Sequence, residues 1–172
     1  ERIYLNGSEA VAMGKIAAGL AFQTYYPISP ATAENTYLEK HLRVPTVGDD
    51  GSEELAIVVV QTEDEISGIL MAIGAAHAGT RACTATSGGG FALMVEALSL
   101  AGSSETPLVV FEVQRPGPAT GLPTKSGQED LLFCMHAGHG EFTRAILAPG
   151  THEQSFQHGT RAFNLAEKYQ TP

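Results

Sequence analysis

The sequence is poor in several residue types, and each shortage argues against particular classes of function. Its 172 residues include no tryptophan, two cysteines (Cys83 and Cys134), and 10 lysines and arginines against 19 aspartates and glutamates. The cysteines form no C-x-x-C pair, which argues against an iron–sulfur cluster or a cysteine-rich zinc site on this chain. The net charge of −9 argues against binding to nucleic acid or to an anionic membrane surface.

The chain also has no uninterrupted apolar run of about 18 residues and no signal-peptide pattern, so the sequence predicts a soluble cytoplasmic protein. Hydrophobic residues make up 43% of the chain, enough for a packed core. The length suits one domain. The first residue is not Met, and the chain stops after a helix where an α/β pattern would supply a strand. We therefore expect residues 1–172 to be one domain of a longer subunit.

Helix-like and strand-like segments alternate along the chain. Periodicity predicts helices over 8–22, 31–42, 64–79, 88–102, 128–137 and 152–169. Short apolar runs predict strands over 24–28, 56–60, 81–86, 107–113 and 143–147, and 49–54 and 114–125 are predicted as loops. We expect a three-layer α/β/α domain with a mostly parallel sheet, in which ligands bind at the carboxyl ends of the strands.

Local signals predict where several helices begin and end. Ser8 is predicted to cap the first helix, and Gly79 is expected to close the third. Thr151 and Gln154 are predicted to form a capping box.

Two strand ends carry candidate ligand-binding residues. Tyr26-Pro27-Ile28-Ser29-Pro30 follows the first strand, where the prolines fix an extended turn that presents Ser29 to a ligand or simply leaves the strand. Arg115 ends the fourth strand, where its guanidinium either clamps a carboxylate or pairs with a local acid such as Glu112.

Glu65, after the second strand, has two interpretations. It completes a T-x-x-E capping box with Thr62, or it faces the apolar side of its helix. In the second case, burial beside a heterocycle would tune its pKa for proton transfer. Spacing does not separate the two.

Ser87-Gly88-Gly89-Gly90 follows the third strand. Glycines that open a helix expose N–H groups suited to an anion or a cofactor, but neither G-x-x-x-x-G-K-[ST] nor G-x-G-x-x-G is present. Ser87 approximates a nucleophile elbow, with His152 or His158 as its base, although Ala85 replaces the glycine that the motif needs.

The remaining histidines and cysteines have ordinary interpretations. His136 and His139 lie in a glycine-broken stretch and are predicted to be surface or loop residues rather than metal ligands. Cys83 and Cys134 are predicted to be buried packing residues.

Four segments resemble one family in order and spacing. They are YYPISPATAE (25–34), the run 58–94, VQRPGPATGLPTKSGQEDLL (113–132), and HGEF…LAPGT…AFNLAEKYQTP near the end. The chain resembles the thiamine-diphosphate pyrimidine-binding domain of the α subunit of 2-oxoacid:ferredoxin oxidoreductases. The resemblance covers nearly the whole chain.

The resemblance implies roles for individual residues. Glu65, nine residues before Gly74, would hydrogen-bond the aminopyrimidine ring of the cofactor and favour its imino tautomer. Arg115 would bind the substrate carboxylate. Tyr26, Pro27, Ile28 and Ser29, with Pro30, match a YPITP motif lining the substrate and cofactor pocket, with Ser29 in place of Thr. Lys125 would lie in a loop near the substrate entrance.

The implied reaction is thiamine-diphosphate-dependent oxidative decarboxylation of a 2-oxoacid to an acyl-CoA, with ferredoxin as electron acceptor. The resemblance implies a hetero-oligomer in which a β subunit shares the cofactor, and Mg²⁺ and iron–sulfur clusters lie on a partner chain or domain. Two alternatives stand beside it. One is a non-catalytic paralogue used for binding or assembly, against which the presence of Glu65 and Arg115 argues. The other is a serine hydrolase using Ser87.

Overall fold

The computed structural model describes residues 3–45 and 54–172. The helices within them are α1 (Gly7–Ala17), α2 (Thr32–Glu39), α3 (Glu65–His77), α4 (Gly88–Leu93), α5 (Val95–Ser103), α6 (Leu131–His136) and α7 (His152–Tyr169). The strands are β1 (Phe22–Tyr25), β2 (Arg43–Pro45), β3 (Glu54–Ala56), β4 (Val58–Gln61), β5 (Ala82–Thr86) and β6 (Val109–Glu112). The predicted loop over 49–54 lies outside the described residues except for Glu54, which begins β3.

Four strands form a parallel sheet in the order β4-β1-β5-β6. Tyr25 of β1 is in register with Gln61 of β4 and Ala85 of β5, and Thr86 of β5 is in register with Glu112 of β6. The short strands β2 and β3 form a separate antiparallel pair. The mostly parallel sheet is confirmed, and it brings the carboxyl ends of four strands to one edge.

Helices cover both faces of this sheet and bury one hydrophobic cluster on each. On one face the cluster joins Ile69 of α3, Phe91 of α4 and Leu98 of α5. On the other face it joins Ala12 of α1, Leu38 of α2 and Phe163 of α7. The predicted three-layer α/β/α architecture is therefore confirmed.

Helices α1 and α7 cross where two glycines meet. A Cβ on Gly159 would lie 2.9 Å from the Cα of Gly14, a distance at which side-chain atoms do not pack. The hydroxyl of Thr160 donates a hydrogen bond to the carbonyl of Gly14 at 3.1 Å. This close approach fixes the outer helix layer against the first helix.

Some local predictions are wrong. Asn6 rather than Ser8 caps α1, because Asn6 and Glu9 form a reciprocal capping box. The predicted helix over 88–102 is broken at Met94 into α4 and α5. Thr151 caps α7 as expected, but the Gln154 side chain accepts from the N–H of the preceding Gly150 instead of closing a box.

The strand predicted over 143–147 is absent from the structure. The N–H of Ala145 donates to the carbonyl of Pro172 at 3.2 Å, and the hydroxyl of Thr171 donates to the carbonyl of Thr143. Backbone groups of this segment therefore pair with the last two residues, and β6 remains an edge strand. Among the described helices, none is both long and apolar enough to span a membrane.

Candidate active site

The parallel strands place four candidate segments at one edge of the sheet. Residues 26–30 follow β1, Glu65 follows β4 at the start of α3, residues 87–90 follow β5, and Arg115 follows β6. Ligands bind at this edge in open parallel sheets. The fold therefore gathers the predicted site residues where a ligand pocket is expected.

Arg115 joins two of these segments directly. Its Nη1 donates a hydrogen bond to the main-chain carbonyl of Ser29 at 2.9 Å. Its Nε is buried and has no partner among the described residues. The ion pair with Glu112 considered from the sequence is not formed there. Arg115 therefore holds the turn at Ser29 and keeps a donor for another group.

The turn at 26–30 is anchored at both ends. Tyr25, just before it, donates its phenol hydrogen to Glu39 at 2.6 Å, and burial, helped by Glu39, raises the pKa of Tyr25 to about 12. After the turn, the N–H of Thr32 donates to the carbonyl of Ile28 at 3.0 Å. The side chains of Tyr26 and Ser29 are exposed at the surface between these anchors, where a ligand can reach them.

Glu65 is buried, and the first of its two interpretations, a capping box with Thr62, is not formed. Asp64 caps α3 instead by accepting from the N–H of Ser67 at 2.6 Å, and hydrogen bonds from Ser67 hold the pKa of Asp64 below its usual range. The Thr62 hydroxyl donates to the carbonyl of Tyr25 at 3.2 Å. Glu65 is the first helical residue and is 7% exposed, so its carboxylate faces inward.

The Glu65 side chain packs against the backbone of Gly90. A Cβ on Gly90 would lie 2.7 Å from Cγ and 2.8 Å from Oε1 of Glu65. The hydroxyl of Thr86 would be closer still, so any side chain at this position would displace Thr86 and Glu65. Among the described residues, none of the ion pairs or side-chain hydrogen bonds involves the Glu65 carboxylate. It is therefore a buried acceptor available to a ligand.

The N-terminal end of α3 is fixed close to the sheet. The Thr24 hydroxyl on β1 donates to the carbonyl of Gly68 at 2.7 Å, and a Cβ on Gly68 would lie 3.2 Å from the hydroxyl oxygen of Thr62. This close approach sets the depth at which Glu65 enters the site.

The long segment after β6 forms neither helix nor strand up to α6, as predicted for 114–125. Its ends are tied together because the N–H of Gly117 donates to Glu129 at 3.0 Å and the N–H of Asp130 donates to Gln114 at 3.0 Å. Lys125 is exposed on this loop. The sequence did not identify Asp130, because this residue and Gln114 are far apart along the chain and no local pattern indicates their contact.

Ser87 does not form a hydrolytic site. Its side chain is completely buried, and its Oγ has no hydrogen-bond partner among the described residues. A nucleophilic serine needs a base within hydrogen-bond reach and access to substrate. The hydrolase interpretation therefore finds no support in the geometry.

The remaining candidate residues, the histidines and cysteines, are not part of the site at this edge of the sheet. His136 ends α6 and His139 lies in the loop after it, both exposed. Within residues 3–45 and 54–172, no group of three His, Cys, Asp or Glu side chains comes together as a metal site. Cys83 is buried, and burial raises its pKa to about 12. Cys134 is only half-buried.

Comparison with known proteins identifies the family. Residues 13–172 match the family model described as pyruvate flavodoxin/ferredoxin oxidoreductase, thiamine diphosphate-binding. The chain belongs to this family. Its fold is therefore that of a thiamine-diphosphate-binding domain.

Relatives of this oxidoreductase family match at high identity. The chain is 54% identical over 175 residues to a 2-oxoacid:ferredoxin oxidoreductase 1 subunit alpha from Sulfurisphaera tokodaii, covering 99% of this chain and 28% of that relative. It is 40% identical over 172 residues to the 2-oxoglutarate synthase subunit KorA from Methanothermobacter marburgensis, covering 100% of this chain and 43% of that relative.

A solved structure of the same family has the same fold. It is the 2-oxoglutarate:ferredoxin oxidoreductase from Magnetococcus marinus with 2-oxoglutarate, coenzyme A and succinyl-CoA bound. It matches with a TM-score of 0.87 and 44% identity, covering 99% of this chain and 28% of that one. The chain thus spans under a third of the length of this relative and of the Sulfurisphaera subunit.

Proposed function

We propose that this chain supplies the pyrimidine-binding half of the active site in a 2-oxoacid:ferredoxin oxidoreductase. The complete enzyme would convert a 2-oxoacid and coenzyme A to an acyl-CoA and carbon dioxide, passing electrons to ferredoxin. The observation that carries the proposal is the buried, unengaged carboxylate of Glu65, which faces Gly90 at the carboxyl edge of the sheet. Membership of a thiamine-diphosphate-binding family supports the cofactor as the ligand of that carboxylate.

The residues fit the aminopyrimidine end of thiamine diphosphate. A ring nitrogen can form a hydrogen bond with a carboxyl group, and Glu65 offers a carboxyl at 7% exposure. The lack of a side chain at Gly90 lets the Glu65 side chain pack directly on the backbone there. Tyr26, Pro27, Ile28 and Ser29 are proposed to line the neighbouring wall. When bound, thiamine diphosphate supplies the carbanion chemistry that decarboxylation requires.

Glu65 would hydrogen-bond the ring nitrogen of the cofactor and move a proton at that atom. A side-chain carboxyl group held within hydrogen-bond reach of a base can act as general acid or general base. Because Glu65 is fixed in the first turn of α3, its carboxylate oxygen would stay directed at the ring nitrogen of the cofactor. Glu65 is the catalytic residue of this chain.

Arg115 binds the carboxylate of the 2-oxoacid. It already donates one hydrogen bond to Ser29 at 2.9 Å, which orients the guanidinium plane. The buried Nε without a partner is a donor that a carboxylate would satisfy, and charge-assisted bonds of this kind are strong. Ser29 lies beside that position, and Lys125 is proposed to lie near the substrate entrance.

The other components of the reaction are assigned to partners. We propose that residues 1–172 form one domain of a longer α subunit in a cytoplasmic hetero-oligomer. A β subunit would hold the diphosphate and Mg²⁺, and iron–sulfur clusters on a partner chain or domain would carry electrons to ferredoxin. The only cysteines here are Cys83 and Cys134, too few for a cluster.

The direct test is enzymatic. The full α subunit, co-purified with its β subunit, is assayed for CoA-dependent reduction of a low-potential dye with pyruvate, 2-oxoglutarate and branched-chain 2-oxoacids. Turnover with at least one of them is expected, and it should require added thiamine diphosphate. Absence of turnover with every 2-oxoacid tested, in a preparation that carries its clusters, would overturn the proposed function.

A further inference from the structure

A buried polar network lies behind the turn that carries Ser29. It consists of Lys15 of α1, Gln23 of β1, and Glu34 and Asn35 of α2, each at most 1% exposed. Buried polar side chains need partners within the protein. Here the hydrogen bonds lead from one member to the next and end at the turn.

Lys15 forms the inner end of this network and contacts two elements that lead to the site. Its ammonium group pairs with Glu34 of α2, the helix that follows the turn. It also lies 3.5 Å over the ring of Phe111 on β6, the strand that leads to Arg115. Lys15 therefore supports, from inside the protein, both segments that the hydrogen bond from Arg115 to Ser29 joins.

Gln23 and Asn35 connect the charged pair to the backbone of the turn. Nε2 of Gln23 donates to Oε1 of Glu34 at 2.8 Å and also to Oδ1 of Asn35. Nδ2 of Asn35 donates to the carbonyl of Ala31 at 3.0 Å, directly after Pro30. The network therefore ends on the backbone that leaves the turn.

The turn itself has mainly local contacts where it enters α2. Ala31 occupies the N-cap position of this helix, and alanine has no side-chain acceptor for the N–H groups of the first turn. The N–H of Thr32 donates to the carbonyl of Ile28 at 3.0 Å, and that of Ala33 donates to Pro30 at 3.3 Å. These bonds fix the shape of the turn, whereas the network ties its end to α1 and β1.

Stability alone does not account for a charged pair at this place. Removing Lys15 and Glu34 from water costs about as much free energy as their attraction returns, and apolar replacement of a buried ion pair is often neutral or stabilising. A buried pair of this kind can still select one arrangement of the surrounding elements.

We propose that the Lys15–Glu34 pair, acting through Gln23 and Asn35, positions the turn at residues 26–30 against Arg115. The consequence for catalysis rests on the proposed function, in which this turn and Arg115 bind the 2-oxoacid. Lys15 and Glu34 are positioning residues, because they act through the turn and do not touch the substrate.

The test uses a double variant of the complete enzyme, Lys15→Met with Glu34→Leu. It removes both charges and keeps apolar side chains of similar size in their place. Gln23 keeps partners in this variant, since its Oε1 accepts from the thiol of Cys83 at 3.0 Å and its Nε2 donates to Asn35. We therefore expect the double variant to fold, with a thermal midpoint close to that of the wild type.

Two further variants complete the design. Arg81→Met with Glu167→Leu is the matched control, because it removes an ion pair of 2.7 Å that precedes β5, at the opposite edge of the sheet from the site. Asn35→Leu breaks the network one step nearer the turn and leaves the Lys15–Glu34 pair in place. It provides the same reading if the double variant fails to fold.

The first readout is hydrogen exchange of the segment 28–38, followed by mass spectrometry, which does not depend on turnover. The second is the split between KM and kcat in the dye-reduction assay. In the double variant and in Asn35→Leu, this segment should exchange about fivefold to tenfold faster, and KM for the 2-oxoacid should rise by a similar factor. KM for coenzyme A and the kcat per folded enzyme should change less, and the control should match the wild type.

The outcomes separate this proposal from the proposed function. Wild-type exchange and wild-type KM in a folded double variant would overturn the positioning role of the pair. Faster exchange with an unchanged KM would show that the positioned turn does not serve substrate binding. Faster exchange in an enzyme that turns over no 2-oxoacid would overturn the proposed function and leave the positioning of the turn intact.

Discussion

Replacing Gly90 with alanine should disable the site without breaking the fold. The new Cβ would meet the hydroxyl of Thr86 most closely and would lie 2.7 Å from Cγ of Glu65, against the 3.4 Å at which ordinary contact begins. The Thr86 hydroxyl must turn away, and the Glu65 side chain must retreat by about 0.7 Å. Misplacement of a catalytic group by about 1 Å costs roughly 100-fold in rate. Overpacking of this kind also costs about 1–3 kcal/mol of stability.

The assay is kcat in the dye-reduction reaction, with urea unfolding of the same preparation as the stability measurement. Gly89→Ala is the matched control, because its Cβ would meet only the carbonyl oxygen of Ala119 at an ordinary 3.7 Å. We expect Gly90→Ala to lose about 100-fold in kcat and Gly89→Ala to keep activity near that of the wild type. Equal activities in the two variants would refute the packing of Glu65 on Gly90.

Three further changes test other parts of the structure. Arg115→Lys loses the planar donor set, and KM for the 2-oxoacid should rise about 10–100-fold; an unchanged KM would remove Arg115 from substrate binding. Gly159→Ala forces a Cβ to 2.9 Å from the Cα of Gly14 and should cost about 1–3 kcal/mol in urea unfolding, whereas an unaltered midpoint would contradict the helix crossing. Lys15→Met leaves the buried carboxylate of Glu34 without its partner and should lower the free energy of unfolding by about 3–5 kcal/mol. A second substitution that removes the Glu34 charge should restore part of that stability.

Periodic segments could be predicted from the sequence because their pattern is local. The predicted helix over 152–169 coincides with α7, and the predicted strand over 81–86 differs from β5 by one residue. The segment over 143–147 has a strand-like composition, but whether it pairs depends on what lies beside it. Its backbone meets Pro172 instead of β6, and composition carries no information about that choice.

The candidate site was predicted less completely, since its contacts join distant residues. The sequence pattern pointed to Thr62 as the cap of α3, and it did not show that Asp64, with an extended φ of −153°, would take that role and leave Glu65 free. Arg115 and Ser29 are 86 positions apart, and they meet only because β6 and β1 end at the same edge. The family resemblance supplied the roles that spacing left open.

The buried polar network around Lys15 was invisible to sequence patterns. Lys15 is completely buried, pairs with Glu34, donates to Gln23 at 3.0 Å and lies 3.5 Å over the ring of Phe111. A lysine in an amphipathic helix normally reaches solvent. Here partners from β1, α2 and β6 enclose it, and no local pattern predicts that combination.

The most direct test of the account is Glu65→Gln in the complete enzyme. The amide keeps the size of the side chain beside Gly90 but holds no exchangeable carboxyl proton for the cofactor ring. We expect kcat to fall by about 100-fold or more, while thiamine diphosphate still binds, as measured by calorimetry. Wild-type turnover in this variant would contradict the central claim that the buried Glu65 carboxyl drives the reaction.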